Sequence, residues 1–67
     1  MKLLDLPKGA KIIEPSCSDG STYIIFHHLD GMYSYCTTEK GGTIHLRCDT
    51  PLTKREDGDY EIKASDL

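Results

Sequence analysis

The sequence predicts an all-β protein, a small antiparallel meander of five or six strands. Short runs of β-branched and aromatic residues alternate with turn residues along the chain, and no window shows sustained helical periodicity. An Asp-Gly pair at positions 30 and 31 separates two of these runs, as in a two-residue hairpin turn. We therefore expect consecutive strands to pair with one another.

Turn residues set the limits of each predicted strand. Pro15 ends the first run, and a loop rich in serine, aspartate and glycine follows it. The next run combines isoleucine with tyrosine, phenylalanine and histidine, which makes it the strongest strand signal in the chain. The predicted strands are residues 11–14, 22–29, 32–38, 43–48, 52–54 and 60–63.

The two central turns predict which side chains share a face of the sheet. We place these turns at Asp30-Gly31 and Lys40-Gly41, and successive side chains of a strand point to opposite faces. The predicted core face holds Ile24, Phe26, His28, Tyr33, Tyr35, Thr37, Ile44, Leu46 and Cys48. The predicted outer face holds Tyr23, Ile25, His27, Ser34, Cys36, Thr43, His45 and Arg47.

A sheet with one apolar face needs a cover. We expect it from the first strand, through Ile12 and Ile13, and from the last hairpin, through Leu52, Tyr60 and Ile62. This arrangement predicts a bent sheet or a partly open barrel, similar in outline to an SH3-like barrel. That architecture hosts many functions, so it does not assign one.

Length and composition narrow the function classes. At 67 residues we assign a single domain, 1–67, near the size at which a hydrophobic core alone can sustain a fold. Such a core leaves little room for a substrate cavity, which favours a non-enzymatic protein. The net charge of −3 and the scattered basic residues disfavour a nucleic-acid partner.

The cysteines and the hydropathy pattern predict a cytoplasmic protein without a membrane partner. Cys17, Cys36 and Cys48 are an odd number in a short chain, which does not build a disulfide framework. The apolar N-terminal run is interrupted by Asp5 and Pro7, and no run reaches the length of a signal peptide or a membrane span.

One cluster on the predicted outer face could carry chemistry. Cys36 would lie across from His45, with His27 diagonal to it, as in a thiolate–imidazolium pair or part of a zinc site. However, no Cys-x-x-Cys pair is present, and a flat sheet offers no oxyanion hole. We therefore predict no catalytic residues, no metal ligands and no cofactor.

The predicted function is a protein–protein interaction module, or an accessory or inhibitory one. The supporting feature is apolar and aromatic area on the outer face, where the candidate binding residues are Tyr23, Ile25, His27, Met32, Cys36, His45 and Arg47. The partner would be another protein or a second copy of the chain. Two alternatives stay open: binding of single-stranded nucleic acid by Tyr23 and Arg47, and zinc binding through cysteine and histidine. A covering N-terminal segment or hairpin would remove the exposed patch.

Overall fold

The computed structural model describes residues 1–63 as a mostly β protein with a single mixed sheet. A short 3-10 helix, Leu3–Asp5, precedes the strands. The six strands are β1 (Lys11–Ile13), β2 (Tyr23–Asp30), β3 (Tyr33–Thr38), β4 (Thr43–Ile44), β5 (Leu52–Lys54) and β6 (Tyr60–Ile62). Their order is β4-β3-β2-β1-β6-β5, and the sheet is not closed. Positions 64–67 of the predicted domain lie outside the described residues.

The predicted all-β class is confirmed, and its meander is confirmed for the first four strands. β1 to β4 pair consecutively and antiparallel, and β5 and β6 form the predicted last hairpin. The exception is β6, which runs parallel to β1 with Ile12 opposite Tyr60. In this position Tyr60 and Ile62 pack against the hydrophobic core, so burial of these side chains accounts for the parallel pair.

The predicted position of the turn between β2 and β3 is wrong by one residue. Asp30 pairs with Tyr33, so the two central residues are Gly31 and Met32. Gly31 has a φ of 64°, the left-handed value that the first central position of a type II′ turn requires. A turn centred on Asp30-Gly31 would also need a positive φ at Asp30, and no non-glycine residue from 1 to 63 has one.

A bulge at His27 then changes which side chains of β2 face the core. Phe26 pairs with Cys36, but His28 pairs with Tyr35, so one residue is inserted between them. Both histidines therefore lie on the outer face. The predicted core face is consequently wrong for His28, Tyr33, Tyr35 and Thr37, which lie outside, while Ser34 and Cys36 are buried.

The turn between β3 and β4 shifts the register a second time. Thr38 and Gly42 flank a three-residue loop in which Gly41 has a φ of 92°. Thr37 therefore faces Thr43 rather than Ile44, and Tyr33 pairs with Arg47 rather than Cys48. The predicted facing of Tyr35 with Leu46 is wrong for the same reason, because the ring of Tyr35 contacts that of His45.

The core lies between the sheet and the N-terminal segment. Leu3 and Leu6 join the strand residues in it, and the N–H groups of Leu3 and Leu4 donate to the carbonyl oxygens of Thr50 and Cys48. As predicted, Ile12, Leu52, Tyr60 and Ile62 contribute to this core, but their strands belong to the sheet itself and residues 1–6 cover it. The predicted covering role of Ile13 is wrong, because it pairs with Tyr23 on the opposite face. The buried apolar residues are Leu3, Leu6, Ala10, Ile12, Ile24, Phe26, Cys36 and Leu52.

Candidate functional site

The candidate site is the outer face of strands β1 to β4, the side opposite the core. The strand registers place its members in rows across the sheet, from β1 to the segment that continues β4. All of these side chains are half-buried or exposed. We define the outer face as Lys11, Ile13, Tyr23, Ile25, His27, His28, Asp30, Tyr33, Tyr35, Thr37, Thr43, His45 and Arg47.

An aromatic cluster of His27, His28, Tyr35 and His45 occupies the centre of this face. The Tyr35 ring centroid lies 5.7 Å from that of His27, 5.4 Å from that of His28 and 5.8 Å from that of His45. The His28 ring is stacked on Tyr35 at 12°, while the other two meet it edge to face. All three histidines of the chain therefore surround one tyrosine.

The imidazole nitrogens of the cluster have different partners. The Nδ1 atoms of His27 and His28 lie 2.8 Å apart, a separation at which one ring donates a proton and the other accepts it. The Nδ1 of His45 lies 2.9 Å from the carbonyl oxygen of Ser34. Because a carbonyl only accepts, His45 carries its proton on Nδ1, and the backbone of β3 fixes its ring.

Two cations flank the aromatic cluster, and each lies over a tyrosine. The Nζ of Lys11 is 4.5 Å from the Tyr23 ring centroid, and the guanidinium carbon of Arg47 is 6.0 Å from that of Tyr33. A cation that lies over a tyrosine ring is therefore found at each end of the outer face.

Each of the two cations also has a carboxylate beside it. Arg47 Nε donates to Asp49 Oδ1 at 3.1 Å, and Lys11 Nζ lies 3.9 Å from Asp59 Oδ2. The hydrogen bond between Arg47 and Asp49 raises the pKa of the guanidinium and lowers the pKa of the carboxyl. Because both cations are paired, the outer face presents little net positive charge.

The predicted binding residues divide between three places. Tyr23, Ile25, His27, His45 and Arg47 lie on the outer face, as the sequence predicted. Met32 lies in the β2–β3 turn with 59% of its surface exposed. Cys36 is the exception and faces the core.

The predicted opposition of Cys36 and His45 is wrong. Cys36 is 0% exposed and pairs with Ile44, because the three-residue loop moves β4 by one position. Its Sγ lies 3.4 Å from the Oγ of Ser34, and burial raises the pKa of the thiol. The cysteine–histidine pair that motivated a nucleophilic dyad or a zinc site is therefore not formed.

Four residues of the outer face were assigned to the core face by the sequence prediction: His28, Tyr33, Tyr35 and Thr37. A signal for this was present in the sequence. Two adjacent polar residues, His27 and His28, follow the apolar run Tyr23–Phe26 in one strand, and a bulge lets both face the same side. The small residues Ser34 and Cys36 also sit two apart, as on a face with little space.

A separate cavity of about 230 Å³ lies between the loop that follows β1 and the start of β4. Asp19 organises this loop, since its carboxylate accepts hydrogen bonds from Thr38 Oγ1 at 2.7 Å and from the Ser21 N–H at 2.9 Å. These bonds lower the pKa of Asp19 to about 2. The Asp19 carboxylate therefore links the loop to β3 through hydrogen bonds.

We expect the Asp19→Asn variant to lose stability at neutral pH and to approach the wild type in acid. The pKa of Asp19 in the folded protein is about 2, below the ordinary value of 3.8. A lowered pKa means that ionised Asp19 stabilises the fold fully above the unfolded value, and that this contribution is lost as the pH falls through about 2. Urea midpoints at pH 6, 3 and 2, followed by circular dichroism, measure the difference. A difference in urea midpoint between the variant and the wild type that stays constant over this pH range would contradict this role of ionised Asp19.

The described residues 1–63 contain no group of three or more histidine, cysteine, aspartate or glutamate side chains arranged to hold a metal ion. Within the same residues, no helix has the length and apolar character to cross a membrane. No family model, curated protein or solved structure matches the chain.

Proposed function

We propose that this chain is a non-enzymatic module that binds another protein through its outer face, in an accessory or inhibitory role. The observation that carries the proposal is the aromatic cluster around Tyr35, extended by Tyr33 and Tyr23 with their overlying cations. Tyrosine and arginine are enriched at the residues that dominate protein interfaces. Tyrosine offers a large contact area at little cost in side-chain entropy, so this face suits a protein partner.

Exposed apolar side chains at the β2–β3 turn extend the proposed interface. Met32 in the turn and Tyr33 on the outer face are 59% and 49% exposed. Exposed apolar area next to the aromatic cluster supports contact with a partner.

The larger surface cavity does not favour a catalytic function. Its lining belongs to the β5–β6 turn, where the Arg55 guanidinium donates to Asp57 at 3.2 Å and to Glu61 at 3.1 Å. The charges of Arg55, Asp57 and Glu61 therefore pair with one another on the open surface. These ion pairs stabilise the turn and do not indicate a substrate site.

Two further parts of the proposal concern architecture and compartment. A partly open, SH3-like barrel is supported by the N-terminal segment, which pairs with residues 48–51 beside β5. A cytoplasmic location is supported by three free cysteines, because reducing compartments keep thiols unpaired.

Photo-crosslinking in the native host tests the proposed interface. A photoreactive phenylalanine analogue at position 33 should give a discrete adduct with one other protein, and the Tyr35→Ser substitution should abolish it. The same analogue at Lys63, an exposed residue that follows β6 and lies three strands from β3 in the sheet order, is the matched control. An adduct of twice the chain mass would show that the partner is a second copy of this chain and not another protein. Equal labelling from positions 33 and 63 would refute the interface.

Single-stranded nucleic acid is the second candidate, favoured by one observation. Tyr33 and Tyr35 lie on the outer face, where bases could stack on their rings. The pairing of Arg47 with Asp49 and of Lys11 with Asp59 opposes it, because phosphates need unpaired cations. Fluorescence anisotropy with labelled oligothymidine and oligouridine at low salt distinguishes the two. Saturable binding that weakens steeply with salt would select nucleic acid over protein.

A further inference from the structure

We propose that His27 and His28 form a two-nitrogen chelate for a divalent transition-metal ion, copper or nickel in preference to zinc. The inference goes beyond the proposed protein-binding function and rests on the bulge in β2. Neighbouring residues of a regular strand point to opposite faces, so they cannot bind one ion. The bulge places both imidazoles on the outer face with their Nδ1 atoms 2.8 Å apart.

The 2.8 Å distance between the two nitrogens suits one coordination geometry better than another. With metal–nitrogen bonds of about 2.0–2.1 Å, a separation of 2.8 Å gives an angle at the metal of about 85°. This is close to the 90° between adjacent ligands in square-planar or octahedral coordination. A tetrahedral ion with the same bonds would need nitrogens about 3.3 Å apart. Copper and nickel adopt square-planar and tetragonal sites with nitrogen ligands, whereas zinc prefers the tetrahedron.

The protons of the pair can rearrange without a change in net charge. In the neutral hydrogen-bonded pair, one ring carries its proton on Nδ1 and the other on Nε2. Binding requires a lone pair on both Nδ1 atoms, so the proton of the donor ring moves from Nδ1 to Nε2 of the same ring. Both rings are exposed, which leaves the other coordination positions to water or to a partner's side chain.

Tyr35 holds the two imidazoles in place for this role. It stacks on the His28 ring at an interplanar angle of 12° and meets the His27 ring edge to face at 77°. Tyr35 therefore restricts both rings before an ion arrives, and each ring then turns its Nδ1 lone pair from the neighbouring nitrogen toward the ion. His45 lies against the same tyrosine, but among residues 1–63 no three side chains of this kind are arranged to hold one ion, so the chelate consists of His27 and His28 alone.

Titration with copper, nickel or zinc chloride in a non-coordinating buffer at pH 7.5 tests the chelate. Isothermal calorimetry should show one high-affinity site per chain for copper and nickel, with zinc at least about tenfold weaker. The electron paramagnetic resonance spectrum of the copper complex should show an axial signal with hyperfine coupling to two imidazole nitrogens. His27→Gln and His28→Gln should each weaken nickel binding by about tenfold or more.

His45→Gln is the matched control, and it should leave nickel affinity unchanged. All three substitutions are at exposed positions, and far-UV circular dichroism confirms that the variants fold. Nickel binding that survives in both His27→Gln and His28→Gln would overturn the proposal. Equal loss in His45→Gln would overturn it as well, and so would zinc binding as tight as that of copper.

Discussion

The Leu3→Ala variant should lose about 2–5 kcal/mol of free energy of unfolding, the usual cost of truncating a buried leucine. Leu3 is 0% exposed and belongs to the main hydrophobic core, although it lies in a 3-10 helix outside the strands. Globular domains are stable by about 0.05–0.15 kcal/mol per residue, so the total for this chain is roughly 3–10 kcal/mol. The substitution therefore removes a large share of the stability.

Leu4→Ala is the matched control for this prediction. It removes the same atoms from the next residue, which is 47% exposed, so its effect should stay within about 0.5 kcal/mol. Urea unfolding followed by circular dichroism and by tyrosine fluorescence measures both variants, since the chain has no tryptophan. Similar losses for the two variants would show that the N-terminal segment does not form part of the core.

Ser34→Ala should destabilise the protein by about 1–3 kcal/mol, which is the cost of leaving a buried donor unpaired. Ser34 is 0% exposed, and its Oγ accepts a hydrogen bond of 3.1 Å from the Leu46 N–H. Its own N–H donates to the Leu46 carbonyl oxygen at 2.7 Å. Alanine keeps the second bond and removes the first, so the segment that carries His45 and Arg47 should loosen.

Amide hydrogen exchange tests the local part of this prediction. The Leu46 amide should exchange faster in Ser34→Ala, while the β1–β2 amides should change only with global stability. Ser18→Ala, at an exposed loop position, is the control and should change stability by less than about 0.5 kcal/mol. An unchanged Leu46 exchange rate would mean that another group satisfies this donor.

The sequence was sufficient to predict where the strands lie but not how they are aligned. The composition of β2 and the glycine-containing turns located the strands, because β-branched residues and turn formers act locally. The turn types were not encoded as clearly. An Asp-Gly-Met stretch suits a type I′ turn centred on Asp30-Gly31 and a type II′ turn centred on Gly31-Met32, since Gly31 supplies a positive φ in either case.

The candidate site was therefore only partly predictable. A one-residue slip moves every following side chain to the other face of a strand, which explains the misplacement of Cys36 and Tyr35. Tyr23 and Ile25 lie before the bulge and were placed correctly. The aromatic cluster depends on the bulge and on both turns. Its prediction would have required the pairing of β2, β3 and β4 to be known together.

The parallel pairing of β1 with β6 has a consequence for how the protein forms during synthesis. Ile12 and Tyr60 are partners although 48 positions separate them (60 minus 12), and β1 lies between β2 and β6. Contacts over such distances along the chain slow folding, because a long loop must close before they form. On the ribosome, the first four strands would emerge with one side of β1 still unpaired. The sheet described here is completed only when residues 60–62 have left the exit tunnel, so its assembly depends on β6.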